Sequence, residues 1–145
     1  MQFIRADIRA GGSGFYAMSG NGVTMYGKCA YLAIEPPDRL VYTQQFVDQD
    51  EKVSRHPMAP TWPETVLTTA RFFAEGSNAT RVTVHAEPYG TTTPEELATF
   101  ASAKAGMAGG FTGSFDKLDD YLAQASRHRD GHRDARGAAR PGPVI

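Results

Sequence analysis

From Met1 to Glu87 apolar and polar residues alternate in short runs, and Gly, Pro, Asn and Asp separate the runs. That is the pattern of strands with one buried face. Phe3 to Ile8 is the first run, closed by Arg9-Ala10-Gly11-Gly12. Phe15 to Met18 is the second, and Ser19-Gly20-Asn21-Gly22 behind it is a hairpin signature. Met25 to Ile34 predicts a longer strand that stops at Glu35-Pro36-Pro37-Asp38, where two prolines remove ladder donors. Leu40 to Val47 follows. The turns are too short for parallel crossovers, so these four segments predict an antiparallel meander. Asp48 to Glu64 reads as a polar loop from which Trp62 docks on the body, with His56 capping or solvated. Thr65 to Phe73 is the next strand, with Val66, Thr68, Ala70 and Phe72 on one face. In the last, Thr80 to Glu87, Val82, Val84 and Ala86 share a face. Arg81, Thr83 and His85 share the other, which turns His85 to water.

After Glu87 the period changes. Thr93, Pro94 and Glu96 compose a capping box with proline at the first helical position. Leu97, Phe100, Met107, Phe111, Phe115, Leu118 and Leu122 then recur three, four or seven apart, within about an 80° arc. The spacing predicts one long helix over Thr93 to Gln124, with Asp116, Asp119 and Asp120 on its wet side. Between Ala101 and Gly110 the helix holds four alanines and three glycines, with Met107 as the one large apolar residue. Each interior glycine costs roughly 1 kcal/mol relative to alanine, so this middle is thin or bent. Lys104 falls inside the apolar arc, either bending its stem to water or aiming a cation into a pocket. Six antiparallel strands and one C-terminal amphipathic helix make an α+β class, a helix gripped by a curved sheet.

Composition narrows the function classes. The 145 residues suffice for one domain with its own core, with no apolar run long enough to span a membrane. No signal segment opens the chain, and one cysteine, Cys29, excludes an internal disulfide framework. A cytoplasmic location is expected, with Cys29 a small buried filler rather than a nucleophile. Residues 125–145 hold five Arg and two Asp, a net of +3, so the body carries −1 − 3 = −4. An acidic body argues against nucleic acid as the partner. The basic tail, rich in Arg, Gly, Pro and Ala, is expected to be disordered. His128 and His132 stand four apart, but no third ligand has a defined position, so no metal site is expected. No cofactor motif is present.

The run Tyr31-Leu32-Ala33-Ile34-Glu35-Pro36-Pro37-Asp38-Arg39-Leu40-Val41-Tyr42-Thr43 resembles the Y-L-x-I-x-P-P-x-R-L-V-Y-T stretch of START-like (SRPBCC) proteins. It is nearest the branch named for the activator of the heat-shock-protein-ninety ATPase. The loop His56 to Pro63, the strand Leu67-Thr68-Thr69 and the helix ending Met107, Gly110 to Leu118 and Tyr121-Leu122 are similar to one bacterial subgroup. The similarity covers about Ala6 to Ala123. It implies a helix-grip fold with a hydrophobic cavity between sheet and C-terminal helix. In that alignment Phe111 stands where the family usually has Trp, facing the cavity, and Phe100 and Met107 match. Lys104 and the small Ala86 depart from it, so the relatives' ligands do not carry over. Relatives begin with another strand and two short helices, and Met1 stands where those have ended. An upstream start or a fragment is the favoured expectation, ahead of a genuine remnant or a partner chain. Without that strand Thr80 to Glu87 is an open edge, suited to pairing in a homodimer.

Three functions follow in order. The first is binding of a small hydrophobic or amphipathic ligand. Tyr42, Phe46, Val66, Thr68, Ala70, Val84, Phe100, Lys104, Met107 and Phe111 are the expected contacts, Lys104 and Tyr42 supplying polarity. The same residues would also serve a filled core. The second is a chaperone-ATPase co-regulator in the stress response, as the branch name suggests. The third is a cyclase- or dehydratase-type enzyme, ranked last because no nucleophile–base pair or phosphate loop is present.

Overall fold

The computed structural model describes residues 1–136, of which 128–136 are described by backbone alone. The chain divides into two compact units, Met1–Ser102 and Ala103–Ile145. The first holds six strands, β1 (Gln2–Ala6), β2 (Ser13–Gly20), β3 (Val23–Glu35), β4 (Arg39–Val47), β5 (Val66–Glu75) and β6 (Ala79–Pro88), then helix α1 (Pro94–Ser102). The second holds helix α2 (Lys104–Arg136). The strands form one sheet in the order β1-β2-β3-β4-β5-β6, every neighbouring pair antiparallel. This open antiparallel sheet followed by a C-terminal helix has the α+β order of elements of the helix-grip class.

Local chemistry accounts for each turn. Asn21 and Gly22 adopt φ of 50° and 76°, the left-handed pair a two-residue hairpin demands, and Gly20 pairs directly with Val23. At Pro36-Pro37 the chain reverses in three residues, and the Asp38 amide donates to the Glu35 carbonyl at 2.8 Å. The Glu35 carboxylate also receives the Arg39 guanidinium at 2.7 Å, so the salt bridge closes the same turn. A bulge between Tyr31 and Ala33 leaves Leu32 as an extra residue, 49% exposed. Its consequence is large: Tyr31 and Ile34, three apart, share a face.

The loop over residues 48–64 is pinned rather than free. Arg55 Nη1 donates to the Trp62 carbonyl at 2.6 Å and to Glu96 Oε1 at 2.8 Å. Trp62 packs on Phe100 of α1 with ring centroids 5.4 Å apart, so the docking expected of Trp62 is met. His56 sits edge-on to Phe46 at 5.1 Å, and its Nδ1 accepts the Met58 amide.

The capping box forms as the sequence predicts. Glu96 Oε2 accepts the Thr93 amide at 3.0 Å, and Thr93 Oγ1 accepts the Glu96 amide at 3.2 Å. The single helix over Thr93 to Gln124 does not form. It is two helices that break at Ala103, ahead of the glycines. There the Ser102 hydroxyl donates to the Thr99 carbonyl at 2.8 Å, while the Ala103 carbonyl accepts the Met107 amide and starts the second helix. Gly106, Gly109 and Gly110 lie within α2, which continues past Gln124 to Arg136. Ala125 to Arg136, part of the tail expected to be disordered, is therefore helical; alanine and arginine are strong helix formers. Residues 137–145 of that tail lie outside the described residues, as do the side chains of His128 and His132. No helix among the described residues is long and apolar enough to cross a membrane.

Candidate functional site

One face of the sheet carries most of the residues expected to contact a ligand. Cross-strand register groups Tyr31, Tyr42, Thr68 and Ala86 in one row, Leu40, Ala70 and Val84 in the next. A third row runs through Gly14, Cys29, Gln44 and Val66, and a fourth through Tyr16, Gly27 and Phe46. Tyr42, Phe46, Val66, Thr68, Ala70 and Val84 therefore lie on a common face. Thr68 is 1% exposed and sits opposite Tyr42. Phe100 is elsewhere in the first unit, on α1 against Trp62. Lys104, Met107 and Phe111 belong to the second unit, where Lys104 is exposed and the Phe111 and Phe115 rings stack at 6.3 Å.

The face holds a hydroxyl strip that sequence reading missed. Tyr16, Cys29 and Tyr31 form its buried cluster, with Met18, Ile34, Leu40 and Tyr42 packed around them. The Tyr16 ring lies across Gly27, occupying the space a Cβ would take, and its hydroxyl accepts Gln44 Nε2 at 3.1 Å. Gly14 plays the same part for Cys29: a Cβ there would stand 2.8 Å from the Cys29 sulfur. The signal was present as two glycines inside strands, which mark close approach by a neighbour. Naming that neighbour required the register.

The electrostatics restrict what the strip can do. Burial pushes the Tyr16 phenol up, only partly offset by the Gln44 hydrogen bond. Burial likewise raises Tyr42, against the lowering influence of the Thr68 hydroxyl. Tyr31 is pushed up to about 12, by burial first and then by the Cys29 thiol beside it. All three phenols stay protonated at neutral pH. They are hydrogen-bonding groups, not general bases, since a base at pH 7 needs its pKa near the working pH. Cys29 is free and buried, as the small apolar filler was expected to be.

At the end of this face, beside the Pro36-Pro37 turn, is a hollow of about 440 Å³ lined by Ile8, Tyr31, Ile34, Leu40, Phe72 and both prolines. The Glu35–Arg39 ion pair stands on its rim. A second hollow of about 300 Å³ lies toward Phe46, Met25 and Arg55. Among the expected contacts only Phe46 lines either one. Tyr16, Tyr42 and Thr68 stand in the middle of the face, and these two hollows open beyond them.

Glu96 is the charged group most firmly held. Its carboxyl is kept below the usual range by the Thr93 amide and, against the opposing effect of desolvation, by Arg55. A carboxylate lowered on folding stabilises above its unfolded pKa, and the contribution is lost as pH falls through the folded value. We expect stability to fall more steeply between about pH 5 and pH 3 in the wild-type chain than in Glu96→Gln, which keeps the box but not the charge. Parallel acid-denaturation curves for the two would remove this role from Glu96.

Comparison with known proteins places these features. A search of curated proteins returned no match. The crystal structure of protein Ms6760 from Mycobacterium smegmatis has a similar fold, with a TM-score of 0.53 and 21% sequence identity. The likeness covers 69% of this chain and 56% of that one, so this chain spans little more than half of that protein. The family model described as Activator of Hsp90 ATPase homolog 1-like protein matches residues 1–123, from the first strand to the far side of the apolar helix stripe. On that match, the chain belongs to the Activator of Hsp90 ATPase homolog 1-like family.

Proposed function

We propose that the chain binds a small hydrophobic or amphipathic molecule on the apolar face of its sheet. The observation that carries this reading is the hollow of about 440 Å³ walled by Ile8, Ile34, Leu40 and Phe72, with the Tyr31 phenol among them. Its size and its apolar walls with few polar groups match small-molecule sites. A neutral phenol orients a ligand hydroxyl or carboxyl by hydrogen bonding, and Arg39 at the rim offers a charge to an acidic head group. The raised phenols support binding over catalysis.

The test is titration with a fluorescent fatty acid. Phe72→Ala and Ile34→Asp should each weaken uptake by about tenfold or more, while Asp120→Ala leaves it unchanged. Phe111→Ala and Lys104→Ala, measured in the same way, read out the part of the expected contact set that α2 carries. If Phe72→Ala and Ile34→Asp bind as the wild type does, the hollow is not a ligand site.

The family description favours a second reading, a co-regulator of a chaperone ATPase. A surface role of that kind would survive Ile34→Asp, so ATPase stimulation by that variant separates the two readings.

A further inference from the structure

The face of the sheet opposite the apolar one carries a hollow of its own, of about 550 Å³. Parity puts it there. Tyr42 and Gln44 turn to the apolar face, so Thr43 and Gln45 turn to the other. The bulge that brings Tyr31 and Ile34 to one side leaves Leu32 on this one. Thr65, at the head of β5, completes the floor, and its hydroxyl accepts Gln45 Nε2 at 2.8 Å. Strands β3, β4 and β5 are each paired on both sides, so this floor depends on neither edge of the sheet. It shares no wall residue with the apolar hollow beside Pro36-Pro37.

Arg55, Glu64 and Tyr89 stand around the floor. Arg55 is held in place, because its Nη1 is spent on the Trp62 carbonyl and on Glu96. Among the described residues its Nε and Nη2 have no hydrogen-bond partner, and they remain available as donors. The Tyr89 amide donates to the Thr65 carbonyl at 2.9 Å, which fixes its backbone beside the floor, and Tyr89 is 48% exposed. Gly90 follows with φ of 81°, a left-handed conformation that suits glycine, and the turn sets Thr91 on the same rim.

The chemistry of these walls is mixed. Thr43, Thr65 and Gln45 can each donate and accept, Arg55 donates, and the Glu64 carboxylate accepts. Arg55 is already paired with Glu96 at 2.8 Å, and Glu64 adds a negative charge, so an anionic ligand meets repulsion. A cationic one meets the guanidinium. A hydroxyl group both donates and accepts, and it suits every one of these partners.

We propose that this hollow binds a neutral polyhydroxylated molecule, a sugar of one or two rings. Its hydroxyls bond Thr43, Gln45 and Arg55, and the C–H face of a ring lies on Tyr89, whose ring is apolar with a polar tip. The volume falls within the range of small-molecule sites. This inference does not rest on the apolar ligand.

The test is titration of the full chain with glucose, galactose, N-acetylglucosamine and maltose to about 10 mM, followed by the chemical shifts of the backbone amides. Sodium glutamate and choline chloride serve as the charged comparisons. At least one sugar should move the Thr43, Gln45 and Thr65 amides saturably, and neither charged compound should. Gln45→Leu and Tyr89→Ala should each weaken that sugar by about tenfold, with circular dichroism as the check on folding. Thr69→Val, on the same face but outside the hollow, should leave it unchanged. Failure of all four sugars, tighter binding of glutamate or choline than of any sugar, or an affinity that both Gln45→Leu and Tyr89→Ala leave intact would each overturn the proposal.

Discussion

Phe100→Ala is expected to destabilise the chain by about 3–5 kcal/mol, the cost of deleting a buried aromatic ring and leaving a cavity. Phe100 is 5% exposed and packs on Trp62. The same short stretch carries Pro63, almost wholly buried, and the Thr61 hydroxyl bonded to Thr99 of α1 at 2.7 Å. Arg55 ties the loop to Glu96 at the first turn of α1. Removing the ring therefore loosens the helix and the loop together. Total stabilities of domains are about 5–15 kcal/mol, so the loss is a large share. The control is Leu97→Ala on the same helix, where Leu97 is 48% exposed and about 0.5 kcal/mol or less is expected. Urea denaturation of both variants decides. Equal midpoints would mean that Phe100 is not the anchor of this loop.

Gly27→Ala should cost about 1–3 kcal/mol, the usual penalty for forcing extra volume into a packed site. The reason is the Tyr16 ring lying across that glycine. A methyl group would displace the ring, which also packs on Phe3 at 5.4 Å by centroid, and strain the hydrogen bond with Gln44. In an ordinary strand position the change from glycine to alanine is favourable, by roughly 0.5–1 kcal/mol. The sign should therefore reverse in a Tyr16→Ala background, where nothing occupies the space. A double-mutant cycle by thermal or urea unfolding measures this coupling. Additive effects would show that Gly27 is conserving backbone freedom and not room for Tyr16.

These two sites differ in how far the sequence announces them. Docking of Trp62 was legible as a lone large aromatic in a polar loop, and the capping box of α1 was legible in Thr93 and Glu96. The partnership of Tyr16 with Gly27 was not. They are eleven residues apart and meet only through the β2–β3 register, which follows from the two left-handed residues at Asn21 and Gly22.

The sheet itself was written in local patterns. Alternation marks each strand, and Gly, Pro and Asn mark each reversal. Turns too short for crossovers leave the antiparallel meander as the one topology open to the first four strands, and the structure extends that order to all six. The face shared by Tyr42, Thr68, Ala70 and Val84 is likewise a matter of parity.

Tertiary structure decided what parity cannot. The bulge at Leu32 puts Tyr31 and Ile34 on one face against the simple period of two, and so builds the wall of the hollow. Tyr16, Tyr42 and Thr68 stand in the middle of that face, and the hollow beside the Pro36-Pro37 turn opens at its end. The helix interruption at Ala103 is a feature to which hydrophobic spacing is blind. Periodicity reports which residues leave water, because burial rewards every apolar side chain alike. Where space remains depends on which side chains meet, and that is a property of pairs distant in sequence.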